Sequence, residues 1–409
     1  MQKLKILFFI TGCLVLNFVA KAQPRQEFRG VWIATVMNID WPPQNASVEA
    51  QKADYIRQLD IHKANGMNAV IVQVRPSGDA FYPSPYEPWS QWLTGVQGRA
   101  PAPFYDPMAF MIQEAHKRGM EFHAWLNPYR AEFTVGRSSI AADNNIRKNP
   151  DWYLTYGTTR YFNPSNVQVQ KFVIDVIRDI VKRYDIDAIH MDDYFYPYPI
   201  AGKVFPDDYA YQRSGTTLSK GDWRRSNVDS IIKNINIAIK QIKPYVKFGI
   251  SPFSVWRNKS NDTQGSDSRA GLTNYDDLYA DILLWLRKGW IDYVTPQLYR
   301  EINDHLVAYE KLALWWAQHS FDRHVYIGHG IYRATEATTT AAWRNPNELP
   351  NQIKITRNIP GIQGSIFYSS KVFKANPHGW NDSLRNNYYR VPAEVPNMPW
   401  LPKRPQWNQ

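Results

Sequence analysis

Short runs of β-branched and aromatic residues alternate with amphipathic segments along most of the chain. Eight such runs lie between residues 28 and 370, and longer segments of helical period separate them. This alternation is typical of parallel strands joined by crossover helices. The predicted strands cover residues 28–36, 69–76, 121–128, 188–194, 246–253, 293–298, 324–331 and 363–368. The predicted helices cover residues 47–65, 107–118, 166–184, 227–243, 275–288, 304–319 and 348–358.

The segments between these elements differ in length according to which element they follow. Those after the strands are long and rich in Pro, Trp and Tyr, whereas returns to the next strand, such as 117–120 and 184–187, are short. This asymmetry predicts an α/β fold, a (β/α)₈ TIM barrel with long βα loops and its site at the carboxyl ends of the strands. A doubly wound open sheet is the competing architecture, but no Gly-rich nucleotide loop follows the first strand.

The first 22 residues have the pattern of a secretory signal peptide. Lys3 and Lys5 precede an apolar run that ends at Val19, and the small residues Ala20 and Ala22 follow at the spacing of a signal-peptidase site. We therefore expect an exported protein of the periplasm or outer surface. Cys13 offers a competing lipoprotein-type cleavage site, through which the protein would be lipid-anchored.

The remainder divides into a predicted barrel at 23–385 and a Pro-rich, extended tail at 386–409. No later run reaches the length that would span a bilayer, so we expect no transmembrane segment. A single Cys cannot form an internal disulfide or a thiolate metal cage. The formal net charge is +11, or +8 without the three lysines of 1–22, and its cations are scattered. We expect a monomer without nucleic acid, metal or cofactor.

Polar residues stand at the ends of six predicted strands, where a barrel core needs apolar side chains. The sharpest case is the stretch 187–197, Asp-Ala-Ile-His-Met-Asp-Asp-Tyr-Phe-Tyr-Pro. Alternation turns Ile189 and Met191 toward the helices and points Asp192 into the barrel mouth. Asp193 faces outward if the strand continues and toward the cleft if it ends. A helix cap or loop salt bridge is the alternative, but the inward parity and the aromatic-proline loop favour a functional site.

The other strand ends add carboxylates, amides, arginines and aromatic rings, which together describe a polar cleft with stacking walls. Acyl transfer would need a nucleophile elbow such as Gly-x-Ser-x-Gly, and phosphoryl transfer would need a phosphate loop; the chain has neither. Paired histidines at metal-ligand spacing are also missing, which disfavours a metal-dependent polysaccharide deacetylase. Glycoside hydrolysis needs mainly two carboxyl groups and hydrogen bonds that hold the sugar ring. The inventory matches that chemistry.

At these segments the sequence resembles the bacterial glycosyl hydrolase-like 10 family. The shared motifs are Arg29-Gly30-Val31-Trp32, Arg75 to Tyr82, Glu87 to Gly95, Ala124 to Arg130 and His190 to Pro197. The resemblance covers nearly the whole mature chain. It implies a (β/α)₈ glycosidase-type protein of the bacterial envelope that acts on glycan, with N-acetylated peptidoglycan strands stripped of their peptides as the substrate class.

The resemblance and the strand parity together suggest roles. We expect Asp192 to stabilise or attack the anomeric carbon, Asp193 to assist it, and Glu301 to act as acid/base, with Asp79 and Glu87 as alternatives for that role. An N-acetyl sugar that supplies its own nucleophile is a further alternative, with the Asp192–Asp193 doublet orienting its acetamido group. The expected stacking residues are Trp125, Tyr194, Trp256 and Tyr299, and the expected hydrogen-bonding residues are Arg75, Asn127, Arg130 and Gln297. A glycan-binding protein without turnover is the rival from another class.

Overall fold

The computed structural model describes residues 23–405. The predicted signal peptide and Cys13 therefore lie outside the described residues. Eight parallel strands form the central sheet, and each neighbours the next in chain order, while β6 pairs with β7 and β8 with β1 to close the ring. The strands are β1 (Phe28–Ile33), β2 (Ala69–Arg75), β3 (Glu121–Leu126), β4 (Ala188–Met191), β5 (Lys247–Ile250), β6 (Tyr293–Val294), β7 (His324–His329) and β8 (Ile362–Phe367). The closed barrel confirms the predicted fold class.

Helices separate the strands and cover the outside of the barrel. They are α1 (Val48–Ala64), α2 (Pro107–Lys117), α3 (Val167–Arg183), α4 (Lys220–Ile242), α5 (Ile282–Arg287), α6 (Tyr309–Gln318), α7 (Glu348–Asn358) and α8 (Ser370–Ala375). Three begin elsewhere than predicted. The helix α6 begins at Tyr309 rather than at 304, and polar side chains set the starts of the other two: Ser219 accepts from the Asp222 N–H before α4, and Asp281 accepts from the Leu284 N–H before α5. Within residues 23–405, no helix has the length and apolarity needed to cross a membrane.

The loops contain shorter elements. The long loop after β3 contains a three-stranded antiparallel sheet of Arg130–Glu132, Tyr153–Tyr156 and Thr159–Phe162. A two-residue strand, Gln297–Leu298, extends the β6 segment after a break at Pro296, which has no N–H to donate to a ladder. The remaining short α-helices are Gln91–Thr94, Asn145–Lys148, Asp208–Arg213 and Trp380–Ser383. Single 3₁₀ turns lie at Val36–Asn38, Pro150–Trp152, Ile331–Thr335 and Pro377–Gly379, and a π turn at Leu384–Tyr388.

Two apolar layers hold the barrel together, one between strands and helices and one inside the ring. Ile189 and Met191 of β4 belong to the outer layer, whereas Ala188 belongs to the inner layer with Trp32 and Tyr293. Gly249 of β5 makes room for the Tyr293 ring, because a Cβ there would lie 2.0 Å from a ring carbon. The inner layer therefore packs the barrel below its mouth.

The Pro-rich tail packs across the amino ends of the strands. Glu27 N–H donates to the Glu394 carbonyl at 3.0 Å, and Trp400 Nε1–H donates to Asp292 Oδ1 at 3.0 Å. Met398 is buried against the inner layer. The described tail thus covers the face opposite the carboxyl ends, which stay open for a site.

Candidate active site

A cavity of about 170 Å³ opens at the carboxyl ends of the barrel strands. A cavity of about 150 Å³ can hold a benzene ring, so this one has room for about one six-membered sugar ring. Its walls combine two carboxyl groups with five aromatic side chains and two uncharged polar side chains. The lining residues are Trp32, Trp125, Asp192, Asp193, Tyr194, Ser251, Gln297, Tyr299 and Tyr368.

Asp192 is held by donors that favour its ionised form. Trp125 Nε1–H donates to its Oδ2 at 3.1 Å, and the Asn127 amide lies 3.3 Å from both carboxylate oxygens. Burial raises the pKa of Asp192, while the charge of Arg130 and these two hydrogen bonds oppose the rise. Asp192 is therefore the carboxyl of the doublet that is better equipped to carry a negative charge.

Asp193 is the weaker acid of the doublet. Burial, followed by the neighbouring charge of Asp192, raises the pKa of Asp193 to about 7, and the Tyr198 hydroxyl donates to its Oδ2. A charge on Asp192 disfavours a second charge on Asp193, so Asp193 is the carboxyl of the pair that keeps its proton to higher pH.

Flat aromatic faces flank the doublet. Tyr194 stacks on Tyr198 with ring centroids 5.4 Å apart, and Tyr299 stacks on Tyr368 at 5.7 Å. The Arg130 guanidinium lies 4.7 Å from the Tyr194 centroid. Aromatic faces beside polar groups suit sugars, whose C–H surfaces pack on rings while their hydroxyls form hydrogen bonds.

A buried hydrogen-bond chain supports the floor of the cavity. Trp32 Nε1–H donates to His190 Nε2 at 3.3 Å, and His190 Nδ1 lies 3.0 Å from the Tyr293 hydroxyl. Burial lowers the pKa of His190 well below its usual value, so the ring is neutral and Nδ1 carries its proton. This arrangement fixes the orientation of the Trp32 indole.

The structure brings most of the predicted site residues together. Asp192, Asp193, Trp125, Tyr194, Gln297 and Tyr299 line the cavity. Asn127 and Arg130 stand behind Asp192, where Asn127 Oδ1 also accepts the Arg130 backbone N–H at 2.8 Å.

Three predicted polar ligands instead form a buried cluster beside the site. Arg75 and Glu87 make a bidentate pair at 2.7 and 2.5 Å, and both side chains are inaccessible to solvent. Arg75 also donates to the Asn127 carbonyl, so the pair holds the backbone that positions Asn127. Asp79 is likewise fully buried, accepts from the Ser77 N–H at 3.2 Å, and has its pKa raised to about 7 by burial. The three residues therefore stabilise the structure beside the cavity and do not line it.

Glu301 and Trp256 lie away from the cavity lining. Glu301 accepts a hydrogen bond from the Thr340 hydroxyl. Trp256 is part of the outer apolar layer, with its ring 6.2 Å from that of Trp315 in a stacked arrangement. Glu301 is therefore not part of the cavity lining that holds the doublet.

Four site residues were missed in the sequence. Trp32, Ser251 and Tyr368 line the cavity, and Tyr198 bonds Asp193. Three of them could have been predicted from their positions. Alternation along β1 points Trp32 into the barrel, and Ser251 and Tyr368 directly follow β5 and β8. Tyr198 lies within a loop, where no periodicity indicates its direction. Within residues 23–405, no three His, Cys, Asp or Glu side chains are grouped as metal ligands would be.

A closed (β/α)₈ barrel with a buried acidic doublet among aromatic rings at its carboxyl end has the architecture of a TIM-barrel glycosidase. Comparison with known proteins agrees with this class. The chain belongs to the family described as glycosyl hydrolase-like 10, whose model matches residues 27–344. The predicted family membership is thus confirmed.

Two relatives are similar in sequence, and a solved structure is similar in fold. The glycosyl hydrolase YngK of Bacillus subtilis (strain 168) is 48% identical over 409 residues, covering 97% of this chain and 80% of that protein. The glycosyl hydrolase DigH of Escherichia coli (strain K12) is 36% identical over 370 residues, covering 85% and 83%. The catalytic domain of β-amylase from Paenibacillus polymyxa superposes with a TM-score of 0.57 at 12% identity, covering 90% and 98%, which is a likeness of fold.

Proposed function

We propose that this protein is an exported glycoside hydrolase that cleaves a bacterial envelope glycan, with peptide-stripped peptidoglycan strands as its substrate. One observation carries the proposal: two buried, adjacent carboxyl groups of unequal acidity face a ring-sized cavity with aromatic walls. Cleavage of a glycosidic bond needs one protonated carboxyl and one group that stabilises positive charge at the anomeric carbon. The doublet offers both states at one pH.

Asp193 acts as the general acid in this proposal. Its raised pKa keeps a proton available near neutral pH, and transfer of that proton to the glycosidic oxygen lets the leaving sugar depart as a neutral alcohol. In the second step, water attacks the anomeric carbon, displaces the group bonded to it in the first step, and gives a proton to the Asp193 carboxylate, which restores the acid.

The attacking group comes from the substrate. Among residues 23–405, the doublet supplies the only carboxyl groups of the cavity lining, and both come from the end of β4. The described lining thus has no second acid on the opposite wall, and in this proposal the acetamido oxygen of an N-acetyl sugar takes the place of a protein nucleophile. It forms a bond to the anomeric carbon as the glycosidic bond breaks. Asp192 accepts a hydrogen bond from the acetamido N–H and stabilises its developing positive charge.

Several features favour an envelope glycan as substrate. Acetamido participation requires an N-acetylated sugar, and peptidoglycan strands are the substrate class implied by the family resemblance. The pattern of Lys3, Lys5 and the apolar run to Val19 supports export to the compartment that holds such strands, with Cys13 as a lipid anchor in the lipoprotein alternative.

Mass spectrometry of reaction products tests this function. Peptide-free peptidoglycan strands, their N-deacetylated form, chitin oligomers and α-glucans are incubated with the wild type and with Asp192→Asn. We expect only N-acetylated strands to be cut, and Asp192→Asn to lose activity by about 10² or more while it keeps its affinity for the strands. Cleavage of α-glucans or deacetylated strands would contradict the substrate and the acetamido step. Binding without turnover by the wild type would favour the glycan-binding alternative.

A further inference from the structure

A second concave surface, the outer groove, opens beside the cavity on the same face of the barrel. Its volume is about 290 Å³, and the loops after β1, β2 and β3 form it from residues 37–45, 91–95 and 133–138. It continues at Asn45 into a further depression of about 340 Å³. The proposed reaction at the doublet uses none of these residues.

Arg130 joins the outer groove to the cavity. Its guanidinium lies 5.4 Å from the centroid of Phe133, which lines the groove, and 4.7 Å from that of Tyr194, which lines the cavity. The two rings are therefore separated by little more than one guanidinium group. A glycan strand with one sugar in the cavity extends from it by neighbouring sugars, so the outer groove lies within reach of the same strand.

The groove offers the surfaces that bind sugar rings. Trp92 and Phe133 are half-buried and meet edge-to-face at 5.6 Å, which leaves part of each ring at the surface. Exposed amide side chains surround them, and Gln44 and Asn45 have no hydrogen-bonding partner among the described residues. Aromatic rings with amide donors and acceptors nearby can hold both the ring and the acetamido group of an N-acetyl sugar.

One cation gives the groove its charge. Arg137 is exposed, and its guanidinium forms no ion pair within residues 23–405. No acidic residue is part of the groove lining. Glu132, whose carboxylate accepts the Gly136 N–H at 3.2 Å, is buried and ion-paired with Arg160, so it does not neutralise Arg137. An anionic ligand group therefore finds an available partner there.

The backbone of the groove is held in an uncommon conformation. Met37, Asn38 and Asn45 have φ values of 53°, 52° and 57°, in the left-handed region that side chains other than glycine seldom adopt. The Asn38 amide stabilises this arrangement by donating to the Pro42 and Trp92 carbonyls at 2.8 and 2.7 Å. Met37 is left 61% exposed at the rim. Strain of this kind persists where the surroundings hold it, often at ligand sites.

We propose that the outer groove is a second sugar subsite that selects a sugar bearing a free carboxylate, with Arg137 as the residue that binds the carboxylate. This inference rests on the proposed function and deepens it. Removal of the peptide from a peptidoglycan strand leaves a negatively charged carboxylate on the sugar that carried it. Arg137 recognises that group, whereas Trp92 and Phe133 receive the sugar face.

Binding measurements on the full mature chain test the subsite separately from turnover. The background is Asp192→Asn, and the probes are peptide-free peptidoglycan oligomers, which carry carboxylates, and chitin oligomers of equal length, which carry none. We expect Arg137→Ala to weaken binding of the carboxylate oligomers by about five- to tenfold, as for loss of a partly exposed charge-assisted pair. Chitin binding should stay unchanged, and Arg137→Lys should recover part of the loss.

The control is Arg178→Ala, which removes an exposed arginine from the outer face of α3. It should leave the binding of both probes unchanged. Unchanged carboxylate binding in Arg137→Ala, or an equal loss for both probes, would overturn the proposal. In turnover assays of the otherwise wild-type enzyme, Arg137→Ala should raise KM for carboxylate strands and leave kcat in place. If the wild type binds in the expected pattern but cuts nothing, the subsite stands and the hydrolase proposal fails.

Discussion

Replacing Asp193 with Asn separates two effects of the acidic doublet: the stability that the buried charge costs the fold, and the proton that it supplies in the proposed reaction. Asn has the shape of the protonated acid but cannot donate a proton to a leaving oxygen or take on a charge. The pKa of Asp193 is about 7 in the fold, against an ordinary value of 3.8. A difference of that size corresponds to about 4 kcal/mol between the two protonation states.

The sign of the effect on stability follows from the protons bound. Below pH 4 the carboxyl is protonated in both folded and unfolded chains, so burial of charge costs nothing. Between pH 4 and pH 7 the folded chain binds the extra proton, and the wild type loses stability as pH rises. Above pH 7 the folded chain carries the buried charge and the cost is complete. Asp193→Asn should therefore be more stable than the wild type by up to about 4 kcal/mol at pH 8 and by nearly nothing at pH 4.

Urea unfolding at pH 4, 6 and 8 measures this difference, provided that the m-value stays the same in both proteins. Asp143→Asn, at an exposed position, is the matched control and should change nothing at any pH. In parallel, kcat/KM of Asp193→Asn should fall by about 10²–10⁴, the usual contribution of a general acid. Wild-type kcat/KM should decline above pH 7. The assignment would be refuted if the stability difference between the variant and the wild type were the same at pH 8 as at pH 4. It would also be refuted if wild-type kcat/KM showed no change as pH rises through 7.

Two further substitutions test the residues that the structure moves out of the cavity. Glu301→Gln should keep kcat/KM within about twofold, because its carboxylate bonds only the Thr340 hydroxyl among the contacts described; a hundredfold loss in the same assay would return the acid/base role to Glu301. Glu87→Gln should lower the free energy of unfolding by about 3–5 kcal/mol in urea titrations, because it leaves the Arg75 charge buried without its partner. The double change Arg75→Met with Glu87→Leu should recover much of that loss, and failure to do so would show that the pair contributes more than charge compensation.

The barrel could be predicted from the sequence because its signals are local. Hydrophobic period distinguishes strand from helix, and the apolar residues that recur at steps of three and four along α3 are buried. The starts of α4 and α5 depended instead on capping side chains that compete with several equivalent positions in polar loops. The break at Pro296 in the sixth strand also has a local cause, since proline has no N–H to donate to a neighbouring strand.

Site residues on or next to the strands could be predicted, because alternation along a strand gives the direction of each side chain. Contacts between distant loops could not be predicted. Asp192 and Trp125 follow from their strands, and both line the cavity. The bidentate pair of Arg75 and Glu87 joins a strand end to a loop, and nothing in the spacing of the two residues reveals that contact. Trp256 was expected to stack on a sugar because it is an aromatic residue that follows a strand. Its ring is instead buried in the outer apolar layer.

The chemistry of the doublet depends on where β4 ends. Consecutive side chains of a strand point to opposite faces, so two adjacent acids share one cavity only if the strand stops before the second. β4 ends at Met191, and Phe195 N–H donates to the Asp193 carbonyl at 3.0 Å as the chain turns. Phe195 then packs outward against Trp285. If the strand were longer, Asp193 would point to this helix-facing side instead. The buried ring thus anchors the turn that brings the second carboxyl into the cavity, beside the carboxyl of Asp192. Burial of Asp193 and, after it, the neighbouring charge of Asp192 raise the pKa of Asp193, and the raised pKa fits the acid role proposed for it near neutral pH.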